Sequence, residues 1–174
     1  KAQRAGFQVA IHAVGAEAVD SAVSALEWVG DTRPGHGLRH RLEHASVCPP
    51  ELLRTIKEAG LGVVTQPAFL FYNGDRYLET VEEREQSWLY RTTSFWRAGI
   101  PLAASSDAPV VQGDSRAGLF GAVARRARSG RTVGEREGLN LEEALALFTR
   151  QAAYLTFQEG DRAQIRQFLR DLAL

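Results

Sequence analysis

Apolar residues along the chain cluster into four short runs, and each run is followed by a stretch with helical spacing. After the first run, apolar side chains recur at Val19, Val23 and Leu26, which predicts an amphipathic helix. The runs themselves predict four β-strands: FQVAIHAVG (7–15), LRHRLEHAS (38–46), LGVVTQPAF (61–69) and IPLAASSDAPV (100–110).

The later helices carry start and stop signals that Pro, Gly and capping residues provide. Asn140 and Glu143 form a capping-box signal for a last long helix, whose apolar stripe runs from Leu141 to Leu155. The basic run RRARSGR (125–131) is interpreted as a solvated helix end. The remaining predicted elements are, in order, a helix over PPELLRTIKEAG that ends at Gly60, a polar loop over 70–86, a helix carrying Trp88 and Trp96 that ends at Gly99, and a helix from about Ser115 to Ser129.

Alternation of strand and helix, repeated four times, predicts an α/β fold with a parallel sheet and right-handed crossovers. Two architectures fit this pattern, a doubly wound open sheet and part of a TIM-type (β/α)8 barrel. A complete barrel usually needs about 250 residues. Four units therefore correspond to half of a barrel.

Composition narrows the classes of protein that fit. Of the 174 residues, 44% are hydrophobic and 24% charged, which is typical of a globular domain, and the formal net charge is zero. A neutral chain argues against nucleic acid or an anionic membrane as partner. Cys48 is the single cysteine, so an internal disulfide is excluded and a cytoplasmic location is expected. The chain contains no Met, which indicates that residue 1 is not the start of the natural protein.

Polar side chains stand at the carboxyl end of each predicted strand, where ligands bind in parallel α/β folds. These residues are His12, His44, Gln66 and Asp107. Neighbouring strands lie about 4.8 Å apart, so histidines at two adjacent strand ends can converge on one cation. Imidazole and carboxylate ligands suit Zn²⁺, although Fe, Mn and Co remain alternatives.

Alternation of side chains along a strand predicts which residues face that ligand. On the first strand, His12 shares a face with Ala10, whereas apolar residues take the helix side. On the second strand, alternation places His40, Leu42 and His44 together. The opposite face of that strand then carries three charges, Arg39, Arg41 and Glu43. Charges that faced the helices would be costly unless they were paired.

Five sequence words, HAVG, RHRLEHA, TQPAF, SSDAPV and LEEALALFTRQAAYLTF, occur in that order between about residues 5 and 157. In this combination the chain resembles the amidohydrolase superfamily of metal-dependent hydrolases, and within it the family-3, YtcJ-like branch. The resemblance implies that residues 1–157 form barrel strands five to eight, and that 158–174 are a degenerate C-terminal tail. It also implies that His12, His44 and Asp107 bind metal and that Asp107 is the catalytic general base. The family's H-x-H pair on the first barrel strand has no counterpart here.

Three hypotheses about function follow. In the first, the chain is part of a metal-dependent hydrolase of amide or other C–N bonds, with one or two divalent ions, zinc first among them, and a small-molecule substrate. In the second, this chain alone is inactive and needs a missing N-terminal half or a homodimer partner at its exposed sheet edges. In the third, it is a small-metabolite binding module with structural histidines.

Two further residues are candidates for substrate binding. Gln66 either faces substrate or hydrogen-bonds backbone at the mouth of the barrel. Phe69, with Phe71 and Tyr72, either lines a substrate pocket or belongs to the core. Cys48 precedes two prolines and a helix, and is not expected to act as a nucleophile.

Overall fold

The computed structural model describes residues 1–32 and 37–162. It contains four strands, β1 (Ala10–Ala13), β2 (Arg41–His44), β3 (Gly62–Thr65) and β4 (Leu102–Ala104). The helices of this described part are α1 (Ala16–Thr32), α2 (Leu52–Glu58), α3 (Ala68–Thr80), α4 (Glu83–Gln86), α5 (Thr92–Ala98), α6 (Ser115–Ala124), α7 (Leu141–Phe148), α8 (Arg150–Leu155) and α9 (Glu159–Arg162), with 3-10 turns at Gln3–Ala5 and Glu135–Glu137. No helix of this part is long and apolar enough to cross a membrane.

The four strands form one parallel sheet in the order β1-β2-β3-β4, which confirms the predicted α/β class. One row of in-register residues, Ile11, Leu42, Val63 and Leu102, shares a face of the sheet. That face packs against apolar side chains of the helices, among them Val23 and Phe95. These apolar strand residues thus form the sheet's side of the core between sheet and helices.

The alternation predicted for Arg41, Leu42 and Glu43 is present, but the expected direction of the two faces of β2 was wrong. Leu42 is buried against the helices, whereas Arg41 and Glu43 share the opposite face with His12. The charges on that face are paired, because Arg41 Nε donates to Glu43 Oε1 at 2.5 Å. His44 does not follow the alternation, since its φ of +76° turns the chain into the left-handed region at the strand end.

The sheet face that carries Arg41 and Glu43 is covered at its amino end by the end of α8. The Leu155 carbonyl accepts hydrogen bonds from Gln8 Nε2 at 2.9 Å and from an Arg41 guanidinium nitrogen at 3.2 Å. The Leu155 side chain covers Gly62, where a Cβ would lie 2.5 Å from its Cδ2 atom. Because Leu155 covers the amino end of this face, a ligand site is expected at the carboxyl end of the sheet.

Residues 70–86, predicted as a loop, are largely helical and contain most of α3 and all of α4. The polar side chains and Gly74 suggested a turn, but buried Phe69 and Leu70 give α3 an apolar face. Gly74 allows close packing rather than a break, because a Cβ there would lie 2.8 Å from the Ala127 Cβ. Helix α6 comes equally close to the start of α3, since a Cβ on Gly121 would lie 2.0 Å from the Pro67 carbonyl oxygen.

Other helix ends also differ from the prediction. Trp88 precedes α5, which begins at Thr92 and ends at Gly99 as expected. The capping box of Asn140 and Glu143 is present, but the last helix breaks at Thr149 into α7 and α8. The tail expected over 158–174 begins with α9, its remainder lies outside the described residues, and the division of the chain at residue 157 stays a prediction.

The basic run 125–131 is not simply a solvated helix end, because Arg125 is only 1% exposed. Its guanidinium donates to the carbonyls of Leu89 (2.7 Å), Tyr90 (2.9 Å), Val133 (3.0 Å) and Gly134 (3.2 Å). Burial lowers the pKa of Arg125 to about 10. This one cation joins the segment before α5 to the segment after α6, and so supports the loops at the carboxyl side of the sheet.

Candidate metal centre

His12 and His44 meet at the carboxyl ends of β1 and β2. Their ring centroids lie 4.4 Å apart, with the ring planes at 73°. His12 is exposed, whereas His44 is 8% exposed. His12 and His44 are one register step apart on the paired strands β1 and β2. The backbone of His44 is in the left-handed region, and its ring lies beside the ring of His12. Two imidazoles thus lie in contact at the carboxyl edge of the sheet.

Gln66 fixes the orientation of the His44 ring. Its Oε1 lies 2.7 Å from His44 Nδ1, while its Nε2 donates to Ser105 Oγ at 3.1 Å and to the Val64 carbonyl at 3.3 Å. Because the amide nitrogen is engaged by these two acceptors, the amide oxygen faces His44 and accepts the Nδ1 proton. That tautomer leaves the Nε2 lone pair free, which is the form of histidine that binds a metal ion.

Gln66 therefore has a contact that the sequence did not indicate. It is 2% exposed and supports His44, whereas the prediction offered substrate or backbone as its partner. No local sequence signal identifies a histidine 22 positions away as its partner. The position of Gln66 at the end of the neighbouring parallel strand was the available indication.

Phe69 packs against the other side of the same histidine. Its ring centroid lies 6.5 Å from that of His44, with the planes at 28°, and 6.3 Å from that of Tyr90 in an edge-on arrangement. Tyr90 is buried, and its hydroxyl lies 3.0 Å from the Tyr77 hydroxyl. Burial raises the pKa of Tyr90 well above its usual value, so this phenol stays neutral and acts as a hydrogen-bonding group.

Asp107 lies three residues beyond the end of β4 and is half-buried. Because β3 separates β2 from β4, the strand that leads to Asp107 is about 10 Å from that of His44. In the part of the chain that the structure describes, no group of three or more His, Cys, Asp or Glu side chains is placed to hold a metal ion. The structure thus brings together His12 and His44, and the three-residue centre with Asp107 stays a prediction.

Cys48 does not take part in this chemistry. It is buried, and burial raises the pKa of its thiol to about 12. The thiol therefore stays protonated at neutral pH, which disfavours both nucleophilic attack and metal binding.

Parallel β/α units with polar side chains at the carboxyl edge of the sheet are the arrangement of an α/β protein whose ligand site lies at that edge. Comparison with known proteins supports this class of protein and identifies the family. The model of the amidohydrolase family matches residues 1–167, so the chain belongs to that family.

Two curated relatives are similar over nearly the whole chain. The amidohydrolase homologue YtcJ of Bacillus subtilis (strain 168) is 28% identical over 170 residues, which are 96% of this chain and 32% of the relative. The N-substituted formamide deformylase of Arthrobacter pascens is 25% identical over 166 residues, 95% of this chain and 30% of the relative. The chain thus spans about a third of the length of these relatives.

Solved structures agree with the fold. An uncharacterized metal-dependent hydrolase from Pyrococcus horikoshii OT3 superposes with a TM-score of 0.78 and 27% identity, over 92% of this chain and 32% of that chain. A second uncharacterized metal-dependent hydrolase, from Pyrococcus furiosus, superposes with a TM-score of 0.74 and 30% identity, over 91% of this chain and 31% of that chain. The four-stranded sheet is consistent with part of an amidohydrolase barrel.

Proposed function

We propose that this chain is part of a metal-dependent hydrolase of amide or other C–N bonds, to which it contributes two imidazole ligands and a carboxylate base. The observation that carries the proposal is the contact of His12 with His44, together with the hydrogen bond that holds His44 as the Nδ1–H tautomer. A neutral imidazole with a free Nε2 fits a divalent cation, and Zn²⁺ is the cation we expect first.

When bound, the cation supplies polarisation of the scissile carbonyl and acidifies a water molecule. The residues of the chain have separate tasks in this proposal. His12 and His44 hold the cation, and Gln66 keeps the His44 ring in the orientation that binding needs. The Asp107 carboxylate accepts the proton of the attacking water and then donates it to the leaving nitrogen.

The likeness to a deformylase that acts on N-substituted formamides supports a small amide as substrate. The single, buried thiol of Cys48 fits the cytoplasmic location that we propose.

The test uses the longest natural protein that carries this chain, with one equivalent of Zn²⁺, Mn²⁺ or Co²⁺ added. Asp107→Asn is expected to abolish release of amine from N-substituted formamides, with the thermal midpoint unchanged. Asp20→Asn, which replaces an exposed aspartate on α1, is the matched control and keeps full activity. Undiminished turnover by Asp107→Asn would refute the assignment of Asp107.

A second candidate, a chain that is inactive alone, is favoured by the sheet edges. In the described sheet β1 pairs only with β2, and β4 pairs only with β3, so both outer strands have a free edge. Under this alternative the isolated 174-residue chain self-associates or needs an N-terminal half. Size-exclusion chromatography with metal analysis separates the two candidates, since an active monomer with stoichiometric zinc contradicts the second.

A further inference from the structure

A cleft of about 890 Å³ opens between α3 and the segment that follows Asp107, and Phe69, whose ring lies beside that of His44, is part of its wall. Aromatic residues at the start of α3 form one wall, and residues 109–112 form the other. The aromatic wall consists of Phe69, Phe71 and Tyr72. We name this space the arginine cleft, because Arg76 and Arg128 also line it.

The arginine cleft is cationic. No acidic residue lines it, and over residues 1–32 and 37–162 neither Arg76 nor Arg128 forms an ion pair. Arg76 instead stacks on the ring of Tyr77, with its guanidinium carbon 5.5 Å from the ring centroid. Two exposed guanidinium groups without a counter-ion in a shared cleft attract an anion.

The two acidic side chains of α3, which lie next to the cleft in the sequence, are engaged by other groups. Asp75 accepts hydrogen bonds from Ser129 and lies 3.9 Å from an Arg131 nitrogen. Glu79 lies 3.7 Å from the same nitrogen. Arg131 thus takes the nearby carboxylates, and the two arginines of the cleft remain available to a ligand.

The cleft adjoins the candidate metal centre at two residues. Phe69 belongs to both, since it lines the cleft and stacks on the His44 ring at 6.5 Å. On the other side Pro109, which lines the cleft, follows Asp107 by two residues. A molecule whose reacting bond lies at His44 can therefore extend its remaining part past Phe69 into the arginine cleft.

We propose that the arginine cleft binds a carboxylate and an adjoining aromatic or apolar group of the substrate, so that the protein acts on N-acyl compounds that carry an acid. This inference rests on the proposed hydrolase function and names its substrate class. The aromatic wall packs against the apolar group, and the two guanidinium groups bind the carboxylate. Exchange of the carboxylate for a neutral amide removes the ionic contact and leaves the packing.

The probes for the test are N-formylphenylalanine and its neutral carboxamide, which differ only in the acid group. Calorimetric titration of the metal-free 174-residue chain measures binding without any turnover. We expect the acid to bind about tenfold more tightly than the carboxamide at low salt, a preference that salt weakens. Arg76→Gln and Arg128→Gln should each reduce the preference to less than about threefold.

Arg126→Gln is the matched control, because Arg126 is exposed in the same basic run but does not line the cleft. It should keep the preference for the acid. Equal affinities for the two probes, no saturable binding of the acid, or an equal loss in Arg126→Gln would each overturn the proposal. Hydrolysis is measured separately in the longer protein, so that selective binding without turnover contradicts the hydrolase function, and unselective turnover contradicts only the cleft.

Discussion

Replacement of Gln66 by leucine tests whether the His44 ring is set for metal binding. Gln66 is 2% exposed, and leucine has a similar volume, so the change removes hydrogen bonds with little loss of packing. The His44 Nδ1–H group loses its acceptor at 2.7 Å, and Ser105 Oγ loses its donor at 3.1 Å. A buried donor without a partner costs about 1–3 kcal/mol, which is the expected loss in the free energy of unfolding. Loss of the group that orients a ligand is expected to weaken metal binding by roughly 10–100-fold.

The assay pairs urea unfolding with zinc titration against a chromophoric chelator. Gln86→Leu is the matched control, because the Gln86 amide also donates two hydrogen bonds, to the carbonyls of Leu78 (3.2 Å) and Val81 (3.0 Å). It should lose stability but not zinc affinity. Gln66→Glu keeps the acceptor oxygen, and the Ser105 hydroxyl can turn to donate, so this variant should recover most of the affinity. Wild-type zinc affinity in Gln66→Leu, or an equal loss in Gln86→Leu, would refute the reasoning.

Three further predictions concern the fold that supports the site. Gly121→Ala should lower the free energy of unfolding by about 1–3 kcal/mol, because its Cβ would lie 2.0 Å from a backbone carbonyl oxygen, and Gly113→Ala, with 3.8 Å to its nearest atom, should have little effect in the same urea titration. Burial lowers the pKa of His40, so protonation favours the unfolded state and the wild-type protein loses stability as pH falls below about 6.5. In His40→Asn this loss of stability at low pH should vanish. If the free energy of unfolding of His40→Asn, measured at several pH values, falls as steeply as that of the wild type, the prediction is wrong. Arg125→Lys should cost about 2 kcal/mol or more, because an ammonium cannot reach all four carbonyl acceptors, and a thermal midpoint equal to that of Arg126→Lys would exclude this role.

Local patterns were sufficient where the physical cause is local. The four β/α units, the capping box at Asn140 and the helix end at Gly99 were all predicted and are present. Each depends on the period of apolar residues or on hydrogen bonds and backbone angles within a few positions. The partnership of His12 with His44 follows from one additional rule, the parallel pairing of successive strands.

The prediction failed where distant segments decide the outcome. Residues 70–86 looked like a loop because Gly74 and the polar side chains are locally unfavourable for a helix, yet α3 forms there against α6. Arg125 looked like a surface cation because nothing in its neighbourhood along the chain predicts carbonyls from residues 89 and 90. The faces of β2 were exchanged because the positive φ at His44 ends the alternation, and only the assembled strand end accommodates that conformation.

The sequence by itself determined the class of fold, the order of its units and the presence of imidazoles at two adjacent strand ends, since periodicity and capping act over a few residues. The tertiary structure alone decided that Gln66 holds His44, that Phe69 contacts both His44 and a cleft, and that two arginines line this cleft without an ion pair to any described residue. These features arise where separate β/α units pack together, and the contacts between units depend on side-chain shape and on burial, which no short stretch of sequence contains.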